Sequence, residues 1–290
     1  MNYPPNIDPK KETLKITAFM NRTFKNAKKT EAVIAVSGGV DSTSSLFLTA
    51  KTLEPQNITC LFLPAKTADP IHWEHVLRSC KIARIPQENI LTIPIGGIIQ
   101  KTWNRIKHSS PVKLQEKATP YRKKMNQELA LLNRLRLANI AARARMIVVF
   151  DRAKLRNGLV IGTENRSEHL LGYYTRFGDE ASDVEPIRHL YKTQVRELAK
   201  FLKVPKEIID KLPTAGLWSG QTDEAELGFS YEEADPVLFL HYEQQKSPTE
   251  IIKLLVKETQ NKTKEVEQLV QTVLSHCQKM NFKHVLPYVL

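Results

Sequence analysis

The chain has 290 residues, of which 41% are apolar and 26% are charged. This composition excludes disordered, collagenous and low-complexity chains and allows a large buried core. No stretch approaches the roughly 18 consecutive apolar residues that a membrane-spanning helix needs. The N-terminal residues are polar and charged where a signal peptide is apolar. We therefore expect a soluble protein of the cytoplasm.

The chain is strongly basic. Its formal net charge is +12, from 43 lysines and arginines against 31 aspartates and glutamates. Residues 101–156, here called the basic segment, contain fifteen basic and three acidic residues and so account for the whole excess. Such a charge indicates an anionic partner without identifying it.

Three cysteines, Cys60, Cys80 and Cys277, are far apart in the sequence and form no CxxC pair. Their spacing argues against a disulfide framework and against a cysteine-rich zinc site. We expect each of them to be a small buried apolar residue.

Short apolar runs alternate with helical patterns through the first half of the chain. After an N-terminal helical extension at 1–30, a run rich in β-branched residues at 31–36 predicts a strand that turns directly into a helix over 41–52. The pattern then repeats, with strands at 58–63, 89–95 and 159–163, and helices near 71–83, near Ile98 and over 125–156. The predicted fold class is α/β, with a doubly wound, mostly parallel sheet and helices on both faces.

The C-terminal part is predicted to be helical, since helical periodicity recurs over 231–245, 248–260 and 262–279. The polar run at 107–119 predicts an exposed loop. No repeat and no shift in composition divides the chain, so residues 1–290 are treated as a single domain.

A glycine-rich turn follows the first predicted strand. In the string SGGVDS, residues 37–42, the strand leads into the start of a helix, where unpaired amides and the helix dipole favour an anion. Glycine lets the backbone approach phosphate oxygens, and Ser37, Ser42 and Thr43 add hydroxyl donors. The alternative is an ordinary turn in which Asp41 or Ser42 caps the helix.

This turn matches neither a Walker loop, GxxxxGK[ST], nor the dinucleotide fingerprint GxGxxG. An SGGVDS string after an apolar strand instead resembles the loop of the ATP pyrophosphatase superfamily. The resemblance implies the Rossmann-like fold of that superfamily and cleavage of ATP between its α and β phosphates, which adenylates a carboxylate or amide oxygen. Several substrates stay open: deamido-NAD, xanthosine monophosphate, aspartate, citrulline and transfer-RNA bases.

Three later strings narrow the substrate. They are GTENRSEHLLGYYTRFGD from Gly162, D-x-x-P-I-x-x-L-Y-K-T from Asp183, and a loop with QTDE at 221–224. Their order and spacing resemble those of the ammonia-dependent NAD synthetases. The resemblance implies a C–N ligase for the last step of NAD biosynthesis. In it the carboxylate of deamido-NAD attacks the α-phosphorus of ATP, and ammonia then displaces AMP. Such a reaction needs charge neutralisation and alignment but no protein nucleophile.

The resemblance also assigns residues around the triphosphate. Asp41 and Glu168 match carboxylates that bind Mg²⁺, the implied cofactor, and hard oxygen ligands suit this ion. Lys192 matches a lysine on the ATP phosphates. If the resemblance is set aside, Glu168 could be a solvated helix residue and Lys192 could be a surface lysine. The positions that match ATP-binding residues are Ser37, Gly38, Gly39, Val40, Asp41, Ser42, Thr43, Thr163, Lys192 and Thr214.

For the dinucleotide, the resemblance points to a second set of positions. Arg143 shares a predicted helix face with Asn139, and a cation there could pair with the pyrophosphate or the attacking carboxylate. If the resemblance is set aside, a solvated side chain is the simpler interpretation of Arg143 in so basic a helix. The positions that match deamido-NAD-binding residues are Arg143, Arg176, Asp183 and Lys283.

One aspartate is expected to handle ammonia, because ammonium must be bound and deprotonated before it attacks. Family precedent assigns this role to Asp179 and dinucleotide recognition to Asp183. With Asp41 and Lys192, Asp179 completes the implied catalytic set. Both aspartates could instead form Asx turns.

The segment with Gln221, Thr222, Asp223 and Glu224 matches a mobile flap that would keep water from the adenylate. The glutamine-using relatives carry an extra amidase domain, for which the 30 residues before the first predicted strand leave no room. We therefore expect free ammonia as the nitrogen source. The resemblance also implies a homodimer that pairs through long helices.

Two other classes of function remain open. A transfer-RNA-modifying member of the superfamily would account for the basic segment, although that segment holds few aromatic residues for stacking, namely Trp103, Tyr121 and Phe150. A non-catalytic nucleotide-binding module would account for the glycine turn, but loss of catalysis should erode Asp41 or Glu168. The expected partners are thus deamido-NAD, ATP and ammonia, and neither a membrane nor nucleic acid.

Overall fold

The structure is a computed structural model that describes residues 3–65, 70–107, 120–214, 222–259 and 262–285, with the backbone alone for 120–128. Helix α1 (Pro9–Ala27) precedes the sheet. The Asp8 side chain accepts the amides of Lys10 and Lys11 at its start, and Lys28 ends it in a left-handed conformation. From residue 108 onward, the loop predicted at 107–119 lies outside the described residues.

Four short strands form one parallel sheet. They are β1 (Ala32–Ala35), β2 (Ile58–Phe62), β3 (Ile90–Thr92) and β4 (Leu159–Ile161), in the spatial order β3-β2-β1-β4. Ala32 of β1 pairs with Ile58 on one side and with Leu159 on the other. The predicted parallel sheet is confirmed, and its order places the carboxyl ends of β1 and β4 side by side.

Helices cover both faces of this sheet. Side chains alternate along β1, so Ala32 and Ile34 join one buried cluster while Val33 joins another. The first cluster includes residues of α1, α2 (Val40–Ala50) and α3 (Pro70–Ile82), and the second includes residues of α4 (Gly96–Ile106) and α5 (Pro120–Leu155). The predicted doubly wound arrangement is therefore confirmed.

The remaining helices form the C-terminal part. They are α6 (Arg166–Leu171), α7 (Lys192–Phe201), α8 (Lys206–Ile209), α9 (Asp223–Leu227), α10 (Tyr231–Tyr242), α11 (Pro248–Thr259) and α12 (Thr263–Met280). Helix α7 joins the first of the two clusters on the sheet, whereas α10, α11 and α12 pack on one another in a third, C-terminal cluster, and α10 and α12 also pack on α6. The three predicted helices are confirmed. The first ends earlier than expected, at Tyr242, because Gln245 adopts a left-handed conformation.

Among the described residues, no helix combines the length and apolarity needed to cross a membrane. Cys60, Cys80 and Cys277 are buried and form no disulfide. Cys60 and Cys80 belong to the first cluster on the sheet, and Cys277 belongs to the C-terminal cluster. All three therefore pack as small apolar side chains, as expected.

Candidate active site

The carboxyl ends of β1 and β4 meet at one edge of the sheet, where open α/β proteins collect their ligands. β1 leads through a turn into α2, and β4 leads through a loop into α6. Asn165 joins the two connections, because its Nδ2 donates to Asp41 Oδ1 at 3.0 Å. The glycine turn and the GTEN loop are therefore neighbours in the folded chain.

The turn between β1 and α2 presents its backbone at the start of the helix. Gly38 has a φ of +76°, and a Cβ there would lie 2.9 Å from the His72 carbonyl oxygen. Gly39 is the N-cap, and no side chain in the described part of the chain caps α2. The alternative in which Asp41 or Ser42 caps this helix is therefore wrong. The first amides of α2 are placed to bind an anion.

The hydroxyl groups of this region are partly used by the turn itself. Ser37 Oγ accepts the Gly39 amide at 3.3 Å and lies 3.1 Å from Ser42 Oγ. Thr43 is fully buried, and its Oγ1 lies 3.4 Å from Ser79 Oγ on α3. The Thr43 hydroxyl therefore belongs to the packing of α2 against α3. Val40, also buried, contributes its backbone to the helix start.

Lys192, the first residue of α7, has only 2% of its surface exposed. Its ammonium donates to Asp41 Oδ2 at 2.6 Å and to Glu168 Oε1 at 3.1 Å. These residues lie on three different helices, α7, α2 and α6, and they are brought together by the tertiary structure. Lys192 is thus not a surface lysine, and Glu168 is not a solvated helix residue.

One cation faces two carboxylates in this cluster. Burial by itself lowers the pKa of Lys192, but Asp41 and Glu168 together outweigh it, so the pKa is raised. Burial raises the pKa of Glu168, against the opposing charge of Lys192 and with a further contribution from Asp41. A single ammonium neutralises only one carboxylate. When both carboxylates are ionised, the cluster therefore carries an excess negative charge, which a bound divalent cation would neutralise.

Asn165 is a site residue that the sequence analysis misses. Its Oδ1 accepts the Glu168 amide at 2.9 Å, and Glu168 Oε2 accepts the Asn165 amide at 3.4 Å. This capping box starts α6 and fixes the direction of the Glu168 carboxylate. The N-x-x-E spacing over 165–168 is the signal that could have revealed it.

A second group of residues surrounds the loop after α6. Arg143 Nε, on α5, donates to the Arg176 carbonyl at 3.2 Å, and Asn139 Oδ1 accepts from Thr175 Oγ1 at 3.0 Å. Asn139 and Arg143 thus present one face of α5 to this loop. Asp179 folds back within the loop, where its Oδ1 accepts the Thr175 amide at 3.1 Å.

Lys283 approaches this loop from the C-terminal part of the chain. Its ammonium donates to the carbonyl oxygens of Gly172 and Tyr174 at 2.5 and 2.7 Å. The adjacent Phe282 ring has the Arg176 guanidinium 5.0 Å from its centre. Four of the predicted residues therefore border a single loop: Arg143, Arg176, Asp179 and Lys283.

Three further predicted residues lie on the connections around these groups. Asp183 Oδ2 accepts the Val160 amide of β4 at 2.8 Å, which ties its loop to the sheet. Thr163 is partly buried just beyond β4, and Thr214 is partly buried at the end of the segment after α8.

The start of α9 approaches the Lys192 cluster. Thr222 caps this helix with its hydroxyl, and Asp223 is buried and accepts the Tyr231 hydroxyl at 3.2 Å. Burial raises the pKa of Asp223, and the nearby charge of Lys192 opposes this shift. Gln221, also expected in the flap, lies outside the described residues.

Part of the basic segment is engaged within the molecule. Arg145 Nε donates to the Leu63 carbonyl at 3.2 Å, and burial lowers the Arg145 pKa. Arg156 pairs with Glu31 at 2.9 Å. These two arginines of the basic segment therefore have partners within the molecule, which weakens the argument that the segment serves a phosphate backbone.

Comparison with known proteins finds relatives over nearly the whole chain. The family model described as NAD synthase matches residues 12–287. The chain is 32% identical to the NH(3)-dependent NAD(+) synthetase of Fusobacterium nucleatum subsp. nucleatum over 274 residues, which cover 94% of this chain and 93% of that protein.

Solved structures give the same picture. An NMN synthetase from Francisella tularensis superposes with a TM-score of 0.75 and 28% identity, over 98% of this chain and 99% of that one. An NH3-dependent NAD synthetase from Campylobacter jejuni subsp. jejuni superposes with a TM-score of 0.70 and 28% identity, over 98% of this chain and 100% of that one. The arrangement of sheet and helices is therefore shared with these synthetases.

Proposed function

The chain belongs to the NAD synthase family, and we propose that it converts deamido-NAD, ATP and ammonia into NAD, AMP and pyrophosphate. The observation that carries this proposal is the Lys192 ammonium, held between Asp41 and Glu168 beside the uncapped start of α2. The carboxylate of the pyridine ring attacks the α-phosphorus of ATP, and pyrophosphate leaves. Ammonia then attacks the acyl carbon of the adenylate, and AMP leaves.

The triphosphate is proposed to lie against the glycine turn. Gly38 and Gly39 place no side chain between the backbone and a ligand there, and the first amides of α2 would face the phosphates with the positive end of the helix dipole. Lys192 supplies a point charge on a flexible chain, which can follow the negative charge that moves onto the leaving pyrophosphate. Thr163 and Thr214 are proposed as further hydroxyl donors to ATP.

The acidic residues suit Mg²⁺, which Asp41 and Glu168 would hold. In the described part of the chain, no cluster of three or more His, Cys, Asp or Glu side chains is arranged to hold a metal ion. Two carboxylates completed by phosphate oxygens and water match the way Mg²⁺ binds in nucleotide sites. When bound, this ion neutralises phosphate charge and so supports attack by another anion.

Deamido-NAD is proposed to bind at the loop after α6. Three cations, Arg143, Arg176 and Lys283, border this loop on three different parts of the chain. Because the substrate carries two phosphates and a carboxylate, such a convergence of charge suits it. Asp183 is proposed to contact the dinucleotide through the carboxylate oxygen that does not accept the Val160 amide.

Ammonia is proposed to enter past Asp179. This residue is exposed at the same loop and is held by the Thr175 amide. A carboxylate at an exposed rim can bind ammonium and take its proton, which gives the neutral nucleophile that the second step needs.

A second candidate substrate is the deamidated mononucleotide, because one similar structure is named an NMN synthetase. It offers the same pyridine carboxylate with one phosphate fewer. The two substrates would be distinguished by their kcat/KM values.

We also propose that the chain acts in the cytoplasm as a homodimer. On α5, Leu131 is 55% exposed and Leu132 is 52% exposed, which is unusual for neighbouring large apolar residues in a lone subunit. Sedimentation velocity should show a dimer that Leu132→Glu weakens. Leu14→Glu, at an equally exposed leucine on α1, should leave the mass unchanged. A wild-type monomer at micromolar concentration would contradict this assembly.

The proposed activity is tested with purified protein, ATP, Mg²⁺, deamido-NAD and ammonium, with AMP and NAD measured separately. We expect both products in equal amounts, and little NAD when glutamine replaces ammonium. Deamidated mononucleotide and total transfer RNA serve as competing acceptors. AMP formation that depends on RNA rather than on the pyridine acid would overturn the proposal.

A further inference from the structure

A fully buried carboxylate lies behind the Lys192 cluster. Asp235, on α10, has no exposed surface. Its Oδ1 accepts the Ser167 hydroxyl at 2.5 Å, while its Oδ2 accepts the Thr193 amide at 2.9 Å and the Thr193 hydroxyl at 2.8 Å. Burial of a carboxylate is unfavourable unless hydrogen bonds compensate it, and here three donors converge on one group.

The donors to Asp235 are sequence neighbours of the proposed ligands. Ser167 immediately precedes Glu168, and Thr193 immediately follows Lys192. Ser167 Oγ also accepts the Lys192 amide at 2.8 Å. The Asp235 carboxylate therefore links the first turn of α6, which carries Glu168, to the first turn of α7, which carries Lys192.

Tyr231 extends this support to the lysine side chain. It lies one helical turn before Asp235 on α10, so both residues project from one face. The Lys192 ammonium lies 5.2 Å from the centre of the Tyr231 ring. Helix α10 thus holds the backbone of Lys192 through Asp235 and packs against its charged end through Tyr231.

We propose that Asp235 is a positioning residue for ATP and Mg²⁺, which fixes Lys192 and Glu168 relative to each other through Thr193 and Ser167. This inference rests on the proposed function, since it concerns the same phosphate site. A displacement of 1 Å in such a site can lower turnover about 100-fold. The loss of one link is therefore expected to lower ATP binding and turnover by more than the loss of folded protein explains.

Four variants test it: Asp235→Asn, Thr193→Val, Thr193→Ser and Thr49→Val. Thr193→Ser keeps the hydroxyl that Thr193→Val removes. Thr49 is the control, because it is a fully buried threonine away from Asp235, and its hydroxyl donates to the Ser45 carbonyl within α2 at 2.7 Å. Each variant is measured for melting temperature, for the Kd of ATP with Mg²⁺ by calorimetry without the pyridine substrate, and for kcat and KM.

We expect Asp235→Asn and Thr193→Val to raise the Kd of ATP with Mg²⁺ about 10-fold and to lower kcat. The KM for deamido-NAD should stay within about twofold of the wild type. Thr193→Ser should restore wild-type binding, and Thr49→Val should lose stability with unchanged Kd.

Variants that bind ATP with Mg²⁺ as the wild type does, and lose activity only in proportion to their folded fraction, would overturn the positioning role. Wild-type protein that binds ATP but forms no NAD would instead refute the proposed function. The positioning role of Asp235 would then be decided by the Kd of ATP with Mg²⁺ in the variants and in the wild type. Wild-type protein that does not bind ATP with Mg²⁺ would refute both.

Discussion

Lys192 and Asp41 are separated by 151 positions in the sequence, yet the ammonium of one lies 2.6 Å from the carboxylate of the other. This contact joins the starts of α7 and α2 at the edge of the sheet. Glu168 shares the same ammonium at 3.1 Å. The lysine thus acts as a counter-ion to the carboxylates when no phosphate is present, and the same charge is available to ATP.

Replacing Lys192 by methionine should affect both activity and stability. We expect AMP formation to fall at least about 100-fold, because a charge that stabilises the leaving pyrophosphate is lost. The melting temperature should also fall, because two partly buried carboxylates lose their cation, a change of about 3 to 5 kcal/mol. Lys206→Met, at an exposed lysine, serves as the control.

The double variant Lys192→Met with Asp41→Asn separates these two effects. It removes one of the uncompensated charges, so part of the lost melting temperature should return while AMP formation stays absent. If the double variant is less stable than Lys192→Met alone, the counter-ion role of Lys192 is wrong.

Asp41→Asn by itself tests the metal assignment. We expect AMP formation to be abolished and not to be restored by raising Mg²⁺ to about 50 mM, because a neutral amide is a poor ligand for this hard cation. Stability should change little, because Glu168 remains as a partner of the Lys192 ammonium. Asp151→Asn, at an exposed carboxylate on α5, should behave as wild type. Unchanged turnover in Asp41→Asn would exclude a role for this carboxylate.

The turn at Gly38 allows a matched pair of backbone variants. Gly38 and Gly228 have φ of +76° and +81°, but a Cβ at Gly38 would meet the His72 carbonyl oxygen at 2.9 Å, whereas no atom lies within 4 Å of a Cβ at Gly228. Both alanine variants should lose about 1 kcal/mol from backbone strain. Only Gly38→Ala should also raise the KM for ATP, because the clash displaces the amides that face the phosphates. Equal KM values for both variants would contradict the phosphate role of this turn.

The sequence predicts those parts of the molecule that depend on local patterns. The buried strands and the helices α10 to α12 follow from periodicity, and the glycine turn follows from the SGGVDS string. The contacts of Asn165 with Asp41 and of Asp235 with Ser167 could not be predicted, because they join residues 124 and 68 positions apart. Parallel pairing of β1 with β4 creates the first, and packing of α10 on α6 creates the second.

A local sequence pattern also does not predict which partner a side chain contacts when two are within reach. Thr43 has a hydroxyl at the expected position after the glycine turn, but in the structure it lies beside Ser79. A helix presents residues in all directions, and its burial is settled by the neighbouring helix rather than by the motif. The same reasoning applies to Arg145 and Arg156, which count toward the charge of the basic segment but contact Leu63 and Glu31 within the molecule.

Stability is expected to depend on pH through Glu164. Burial raises the pKa of this carboxyl to about 8, against the opposing charge of Arg188, whose Nη2 lies 2.8 Å away. An unfolded glutamate ionises near pH ~4.3. Between these values the folded chain keeps a proton that the unfolded chain has lost, so the contribution of Glu164 to stability falls as pH rises through this window.

Glu164→Gln isolates this contribution, because the amide keeps the size of the side chain and does not ionise. The difference in melting temperature between the variant and the wild type should be smallest at pH ~4, should grow as the pH rises to ~8, and should level off above that pH. His169, whose pKa burial lowers to about 4, changes stability in the opposite direction, and its Nδ1 lies 3.7 Å from Glu164 Oε2. The contribution of Glu164 is therefore read above pH ~7, where His169 is neutral in both the folded and the unfolded chain. Glu265→Gln, at an exposed glutamate, is the control. A difference that is constant from pH ~5 to ~9 would show that Glu164 ionises normally in the folded chain.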